Sequence, residues 1–582
     1  EDTTTGATVN YNGFRKRSYV NASGVKEMKL LGDIVNSSPD LITNRTIESN
    51  FDQATALGAS TNPLVPASGY AASYLLRKKA FTKYKDDIDG GVVVGVKPAR
   101  EETVLVGAGD GMLHAFDEKT GQEQFAYIPK AVHPILKKLA DPQYSQIDTL
   151  KHSFYVDGAT VNEDIVRGGN WATVAVGSTG RSDGGSSYFA LNVEKASTFG
   201  AGDALWEFSD AELGVPGNGR AEIALLPDGK WYALFGNGYG SASGRAGLFL
   251  VDINSGVAKF IDTLTGDGST PNGLGTPSFV NFGMSDMTIE PGSSVPRGGT
   301  APLAYAGDLL GNVWKFDLVN KTAEKLLVAT DAGGNPLPIT APPRLILVEN
   351  DGGTTGVQVI VGTGKFLEQS DVENTDVQTI YSVRDNCGIT VGCTPSTATR
   401  SALFKFENIV SKIDYKVTQG FYLDLTGKVN VEGLLMDLKG SRVIDKGTEA
   451  LKEKSAQIEV PFMLPSVDPC ASAVEGFNLE LDAVNGRITK ALYEPKGENS
   501  VNVSLGFGVS RSGFAGLTPP ISGGVNNGVG RSDGSLDLTD KDHDRVGGGK
   551  CVWTKNPETG NLECIEIASS EKRGRQSWRQ IR

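Results

Sequence analysis

A chain of 582 residues is several times the usual single-domain length, and 73 glycines beside 21% charged residues mark it as folded and turn-rich, either several domains or one large repeat architecture. The formal charge of −13 is spread along the chain and broken only by a short basic end, Lys572 to Arg582; with no basic stripe to neutralise phosphates, nucleic acid is a poor partner. No run approaches the roughly 18 apolar residues that cross a bilayer, so no transmembrane segment is expected.

The chain begins at Glu1 without an initiator Met or a signal-peptide pattern and reads as an excised or processed piece. Residues 1–30 read as an N-terminal extension. The only helical spacing falls in 1–30 and 43–100, for example Tyr70 to Tyr84. From residue 31 to 525 one unit recurs: an apolar run ending in Gly, a turn, an alternating strand ending in an acidic or Asn position, a second turn and a return strand. Its copies are TVLVGAGDGMLHAFDEKTGQEQFAYI (103–128), 172–196, 232–261, PLAYAGDLLGNVWKFDLVNKTAEKLLV (302–328) and 357–385, with a degenerate copy at 477–494.

Each copy carries the same physics. Runs such as VLVG and AYAG suit burial between sheets, and the Gly that ends them permits a sharp reversal. In the next strand Leu113 and Ala115 alternate with His114 and Phe116, and Val313 and Lys315 with Trp314 and Phe316, which predicts one packed face and one unpacked face. Lys119-Thr120-Gly121 and Asn254-Ser255-Gly256 are hairpin turns. A further strand precedes most copies, within 33–42, 152–166, 220–230, 275–283 and 339–350, bringing each repeat to about four strands. The expected fold is therefore all-β, a modified β-propeller of six to eight blades with seven preferred. The glycines 107, 177, 236, 307 and 362 lie 55 to 71 residues apart, so the blades carry loop and helical insertions. Residues 428–460 read as irregular or helical, and 526–582 as a C-terminal loop and tail that closes the propeller or extends from it.

Two cysteine pairs have the spacing of local disulfide rings, Cys387 with Cys393 and Cys551 with Cys564, each ring contributing about 2–4 kcal/mol. With four histidines in the whole chain there are too few further ligands for zinc. Cys470 is left over, either a buried thiol or the partner of a cysteine elsewhere.

The strings GDIVNSSPDLI, VGAGDGMLHAFDEKTGQEQFAYIP, AYAGDLLGNVWKFDL, VGTGKFLE and the terminal GRQSWRQI resemble, in order, the C-terminal domain of the PilY/PilC family of type IV pilus proteins. The resemblance covers about residues 30–525 and the last ten. It implies a quinoprotein-like propeller on the outer cell surface or at the pilus tip, exported through the periplasm. Its implied roles are pilus assembly against retraction, twitching motility and adhesion to host or abiotic surfaces, with minor pilins or pilus tip proteins as partners. The family's N-terminal half, in some members similar to a von Willebrand A domain, lies outside this sequence.

Many family members carry a calcium loop just before the strand that here contains Ala304, but no carboxylate occurs between Glu290 and Asp308, so that loop is absent from this sequence. Asp540, Asp542 and Asp544 do repeat at alternate positions, as at the start of a Ca2+ loop; Arg545 and Cys551 replace its Gly and its final acid, and a solvated acidic loop is the competing reading.

Asp110 and Asp308 read as turn-fixing residues, Trp206, Trp231 and Trp314 as packing between blades, and RSDGG (181–185) and RSDGS (531–535) as surface turns. No catalytic residue is assigned, and the chain is not expected to be an enzyme. A quinone-dependent dehydrogenase would want a vicinal cysteine pair that is missing, and the two GRSDG matches to a nucleophile elbow lack a following helix. The remaining alternative is a propeller scaffold that binds other envelope proteins without adhesion.

Overall fold

The computed structural model describes residues 31–42 and, with short interruptions, 101–280, 301–406 and 418–443. Beyond these it describes the strands Ser18–Val20, Lys26–Met28, Thr448–Glu449, Gln457–Pro465, Val474–Asp482, Gly508–Arg511, Cys551–Lys555 and Leu562–Glu566. The helix expected at Tyr70 to Tyr84 lies outside the described residues.

The structure is a β-propeller. Among the described residues, six sheets of four or five strands follow one another along the chain. The first sheet runs Asp40–Ile42, Thr103–Gly107, Leu113–Asp117 and Glu123–Tyr127, in sequence order with every neighbour antiparallel. The second repeats this with Thr160–Arg167, Asn170–Ser178, Tyr188–Asn192 and Ala204–Phe208, and the third with Glu222–Leu225, Trp231–Gly236, Gly247–Asp252 and Ala258–Asp262. In all of them the lead strand found in the sequence takes the first place.

The fourth and fifth sheets each gain an outer strand. Ser278–Val280, Leu303–Gly307, Asn312–Asp317 and Thr322–Val328 make the fourth, and Ala398–Thr399 joins its outer edge in parallel. The fifth is Arg344–Glu349, Thr355–Gly362, Thr379–Asp385 and Gly420–Asp424, with Phe404–Lys405 parallel at its edge. The sixth pairs Thr448–Glu449, Gln457–Pro465, Val474–Asp482 and Gly508–Arg511.

The core is a series of layers between consecutive sheets. Leu105, Leu113 and Ala115 face Ala175, Phe189 and Leu191 in the first joint. In the second, Val174, Val176 and Tyr188 pack on Ile223, Trp231 and Phe235, the Tyr188 and Phe235 rings stacked at 3.7 Å. Leu234, Leu248 and Leu250 meet Ala304, Trp314 and Phe316 in the third, and Leu303, Tyr305 and Val313 meet Val357, Val359 and Tyr381 in the fourth.

This layering corrects the expectation of one unpacked strand face. Along Trp231–Gly236, Ala233 and Phe235 feed the second joint while Leu234 feeds the third. Along Asn312–Asp317, Val313 enters the fourth joint and Trp314 and Phe316 the third. The period of two is real, but a sheet stacked between two neighbours buries both faces. The outermost strands Glu123–Tyr127 and Ala204–Phe208 are the more exposed ones. The tryptophans behave as expected: Trp231 is 2% exposed within the second joint, and Trp206 donates its indole N–H across that joint to the carbonyl of Ile253 at 3.1 Å.

The repeated glycines need a different reason from the one the sequence supplied. None of Gly107, Gly177, Gly236, Gly307 or Gly362 has a positive φ. A Cβ at Gly107 would lie 2.5 Å from the Val156 carbonyl, at Gly236 2.1 Å from that of Gly275, at Gly307 2.1 Å from the Ile339 side chain and at Gly362 2.2 Å from Val443. Each of those contacts belongs to the chain arriving to start the next sheet. At these four positions the glycine is a site of close approach between blades, whereas a Cβ at Gly177 would meet the Phe189 ring of its own sheet at 2.6 Å.

Two further expectations change. Lys428–Val431, Leu434–Asp437, Thr448–Glu449 and Gln457–Pro465 are strands, so 428–460 is not helical where it is described. Helical turns occur at Lys130–Ile135, Lys137–Ala140 and Gln369–Glu373, outside the segments in which the sequence placed helices. They are one or two turns long, too short for a 3.6-residue period to show.

Candidate functional site

The segment 32–42, carrying the GDIVNSSPDLI string, is held by polar contacts to two sheets. The Gly32 N–H donates to Asp110 Oδ2 at 2.7 Å, and the Gly109 N–H to the Asp33 carbonyl at 2.7 Å. Asp33 Oδ2 meets His152 Nε2 at 2.6 Å. Asn36 donates to both carboxylate oxygens of Asp157, from its backbone N–H at 3.0 Å and its side-chain amide at 2.5 Å. Ser37 Oγ accepts the Gly107 N–H at 2.9 Å, and Asp40 Oδ1 accepts from Asn162 Nδ2 at 2.9 Å. The polar letters of the string are therefore ties between the incoming strand, the first sheet and the lead strand of the second.

Electrostatics here is shaped by burial. Burial raises the Asp157 carboxyl to about 6, against the lowering effect of the Asn36 hydrogen bonds and of Arg181. Burial alone would lower the His152 pKa, but its bond to Asp33 and the nearby Asp157 and Asp183 outweigh it and the net shift is upward. His114 behaves likewise: burial lowers it, and Asp110 and Glu123 together raise it. Its Nε2 lies 3.1 Å from Asp110 Oδ1 and its Nδ1 2.5 Å from Glu123 Oε1, so both ring nitrogens face carboxylates. Two carboxylates on the two ring nitrogens favour the protonated form of this imidazole.

Asp308 does what its turn position implied and more, whereas the carboxylate of Asp110 takes the distant Gly32 N–H and the His114 ring. Asp308, fully buried, accepts the Asn312 N–H at 2.8 Å and the Trp314 indole N–H at 2.8 Å, fixing its turn, and also takes Asn272 Nδ2 at 2.9 Å from the chain leading into the fourth sheet.

A second polar cluster, not found in the sequence, lies in the joint between the fourth and fifth sheets. Lys315 Nζ pairs with Asp385 Oδ2 at 2.8 Å, and Tyr305 donates to the same oxygen at 2.8 Å. Asp385 Oδ1 accepts the Cys387 N–H at 2.9 Å. In the sequence Lys315 shares a strand face with Val313, and nothing local pairs it with a residue 70 positions later.

Cys387 and Cys393 form the expected disulfide. Cys551 and Cys564 fall on two paired strands, opposite Glu566 and Trp553 respectively, and their side chains lie outside the described residues. Asp540, Asp542 and Asp544 are outside them too, as are residues 281–300 before the buried Ala304. Among the described residues no helix is long and apolar enough to cross a membrane, and no group of three or more His, Cys, Asp and Glu side chains could hold a metal ion.

Residues 88–326 match the family model described as the PilY1 beta-propeller domain. The chain is 32% identical over 513 residues to a type IV pilus biogenesis factor PilY1 homolog of Xylella fastidiosa, covering 83% of this chain and 30% of that protein. It is 28% identical over 627 residues to type IV pilus biogenesis factor PilY1 of Pseudomonas aeruginosa, covering 98% of this chain and 47% of that one. It thus spans a third to a half of these relatives' length. The crystal structure of the Pseudomonas aeruginosa PilY1 C-terminal domain superposes with a TM-score of 0.52 at 26% identity, covering 80% of this chain and 91% of that one.

Proposed function

This chain belongs to the PilY1 β-propeller family, and on that premise we propose that it is a non-enzymatic type IV pilus biogenesis factor that works through the surface of its ring. In this reading it stands at the outer cell surface or pilus tip, engages minor pilins, supports pilus assembly against retraction, and thereby supports twitching motility and surface adhesion.

One observation carries the reading. Relatives named for pilus biogenesis align over 83% and 98% of this chain, so the whole succession of sheets, and not one blade, is the shared part. The polar groups agree with it: the half-buried Asp33 and the buried Asp157, Asp308 and Asp385 each spend their oxygens on joining strands or sheets.

Deleting the coding region of this chain in its own bacterium tests the proposal. Loss of surface pili and of twitching, both restored by the intact gene, is the expected result, together with recovery of minor pilins bound to the purified chain. Normal piliation and twitching in the deletion strain would overturn it. Normal twitching with loss only of other envelope contacts would favour a scaffold role.

A further inference from the structure

Between the fifth sheet's third strand and its outer edge the chain makes an excursion over the fourth sheet. It leaves at Asp385, closes the ring Cys387–Cys393, adds Ala398–Thr399 in parallel to the outer strand Thr322–Val328, and comes back at Phe404–Lys405. Thr397 Oγ1 donates to the Lys325 carbonyl at 2.9 Å on the way out. On the return, Arg400 Nη2 donates to both Asp424 oxygens at 2.7 and 2.6 Å, and its Nη1 to the Thr330 carbonyl at 3.1 Å.

The disulfide ring is the base of this strap and is pinned at three points. The Cys387 N–H binds Asp385 Oδ1 at 2.9 Å, the Gly388 carbonyl stands 3.5 Å from Lys315 Nζ, and the Gly392 N–H binds Asp317 Oδ2 at 2.8 Å. Lys315 and Asp317 are alternate residues on one face of an interior strand, so the ring lies over that face, at the ion pair. It closes over a lysine side chain 2% exposed and an aspartate 0% exposed.

We propose that the ring Cys387–Cys393 is a redox-sensitive clasp: oxidised, it seals the joint between the fourth and fifth sheets around the Lys315–Asp385 pair, and reduced, it lets that joint and the strap open. Opening is a two-electron reduction by a dithiol. The Sγ–Sγ bond breaks, each sulfur gains a proton to become a thiol, and the reductant leaves as its own disulfide. The freed segment gains conformations, its hold on Asp317 and over Lys315 weakens, and water reaches a buried ion pair that depends on its neighbours for solvation.

Hydrogen exchange on the full folded chain tests this, comparing the oxidised protein, the protein in dithiothreitol, and the Cys387→Ser/Cys393→Ser double variant. The expected result is exchange about tenfold faster or more at Asn312–Asp317, Thr322–Val328 and Ala398–Lys405 in both altered samples. Thr103–Gly107 and Trp231–Gly236, in the first and third sheets, should stay within about twofold. Acceleration confined to residues 386–394, or equal in every sheet, would overturn the proposal. So would a dithiothreitol effect that a folded double variant fails to reproduce, since other cysteines would then be responsible. If the double variant does not fold, the dithiothreitol comparison decides by the same pattern.

Discussion

Lys315 and Asp385 form an ion pair across two sheets, Nζ to Oδ2 at 2.8 Å, with side chains only 2% and 0% exposed. Charges so far from water survive only where their remaining donors and acceptors are met. Here Tyr305 and the Cys387 N–H complete the carboxylate. The pair ties the fifth sheet to the fourth.

Breaking the pair from one side should therefore be costly. Lys315→Ala is expected to lower unfolding stability by about 3–5 kcal/mol, while Lys315→Met combined with Asp385→Asn should recover a large part of that loss. Urea midpoints of the parent and these two variants check it; equal losses in the single and double variants would show that the charge of Asp385 carries no penalty of its own.

The ties of segment 32–42 predict a pH dependence. The His114, His152 and Asp157 pKa values are all raised in the fold, so each group binds its proton more tightly folded than unfolded. Their contribution is fully present at low pH and is lost as pH rises through the folded values, for Asp157 through about 6 and for the histidines above the ordinary 6.5. The thermal midpoint should fall as pH rises from the ordinary 3.8 of an aspartate to about 6, where Asp157 loses its proton, and fall further above 6.5, where the histidines lose theirs. His152→Gln, which loses the Asp33 partner, should cost about 1–2 kcal/mol at the acid end and progressively less at the alkaline end.

The close-approach glycines make a steric prediction. Gly362→Ala places a methyl 2.2 Å from the Val443 side chain and should destabilise by about 1–3 kcal/mol. Gly268→Ala, with nothing within 4 Å, should leave the midpoint unchanged. Chemical denaturation of the two variants separates a packing requirement from a general preference for glycine.

Arg400 offers a test of geometry over charge. Its Nη2 donates to both Asp424 oxygens while its Nη1 reaches the Thr330 carbonyl at 3.1 Å and the Tyr381 hydroxyl at 3.2 Å, and the guanidinium lies 4.0 Å over the Tyr422 ring, a spread of contacts that one ammonium group cannot span. Arg400→Lys should cost about 1–2 kcal/mol despite conserving the charge, with faster exchange at Phe404–Lys405 as the local readout.

Most of the propeller could be read along the chain. The apolar runs at Thr103–Gly107, Leu303–Gly307 and Thr355–Gly362, their return strands and the lead strands ahead of them all stand where their periodicity placed them. So does the short ring Cys387–Cys393, because its closure needs only a few residues of local chain. The polar ties were less legible. Asp33 meets His152 and Asn36 meets Asp157 over about 120 positions, and no local spacing encodes such a meeting.

By itself the sequence determined the strands, the turns and their repetition, since a period of two and a Gly-bearing turn are properties of neighbouring residues. Only the tertiary structure decided what each strand face touches. Stacking a sheet between two others turned the polar alternation of Asn312–Asp317 inward, made Lys315 a buried partner of Asp385, and gave four of the five recurring glycines their reason in the approach of the next blade.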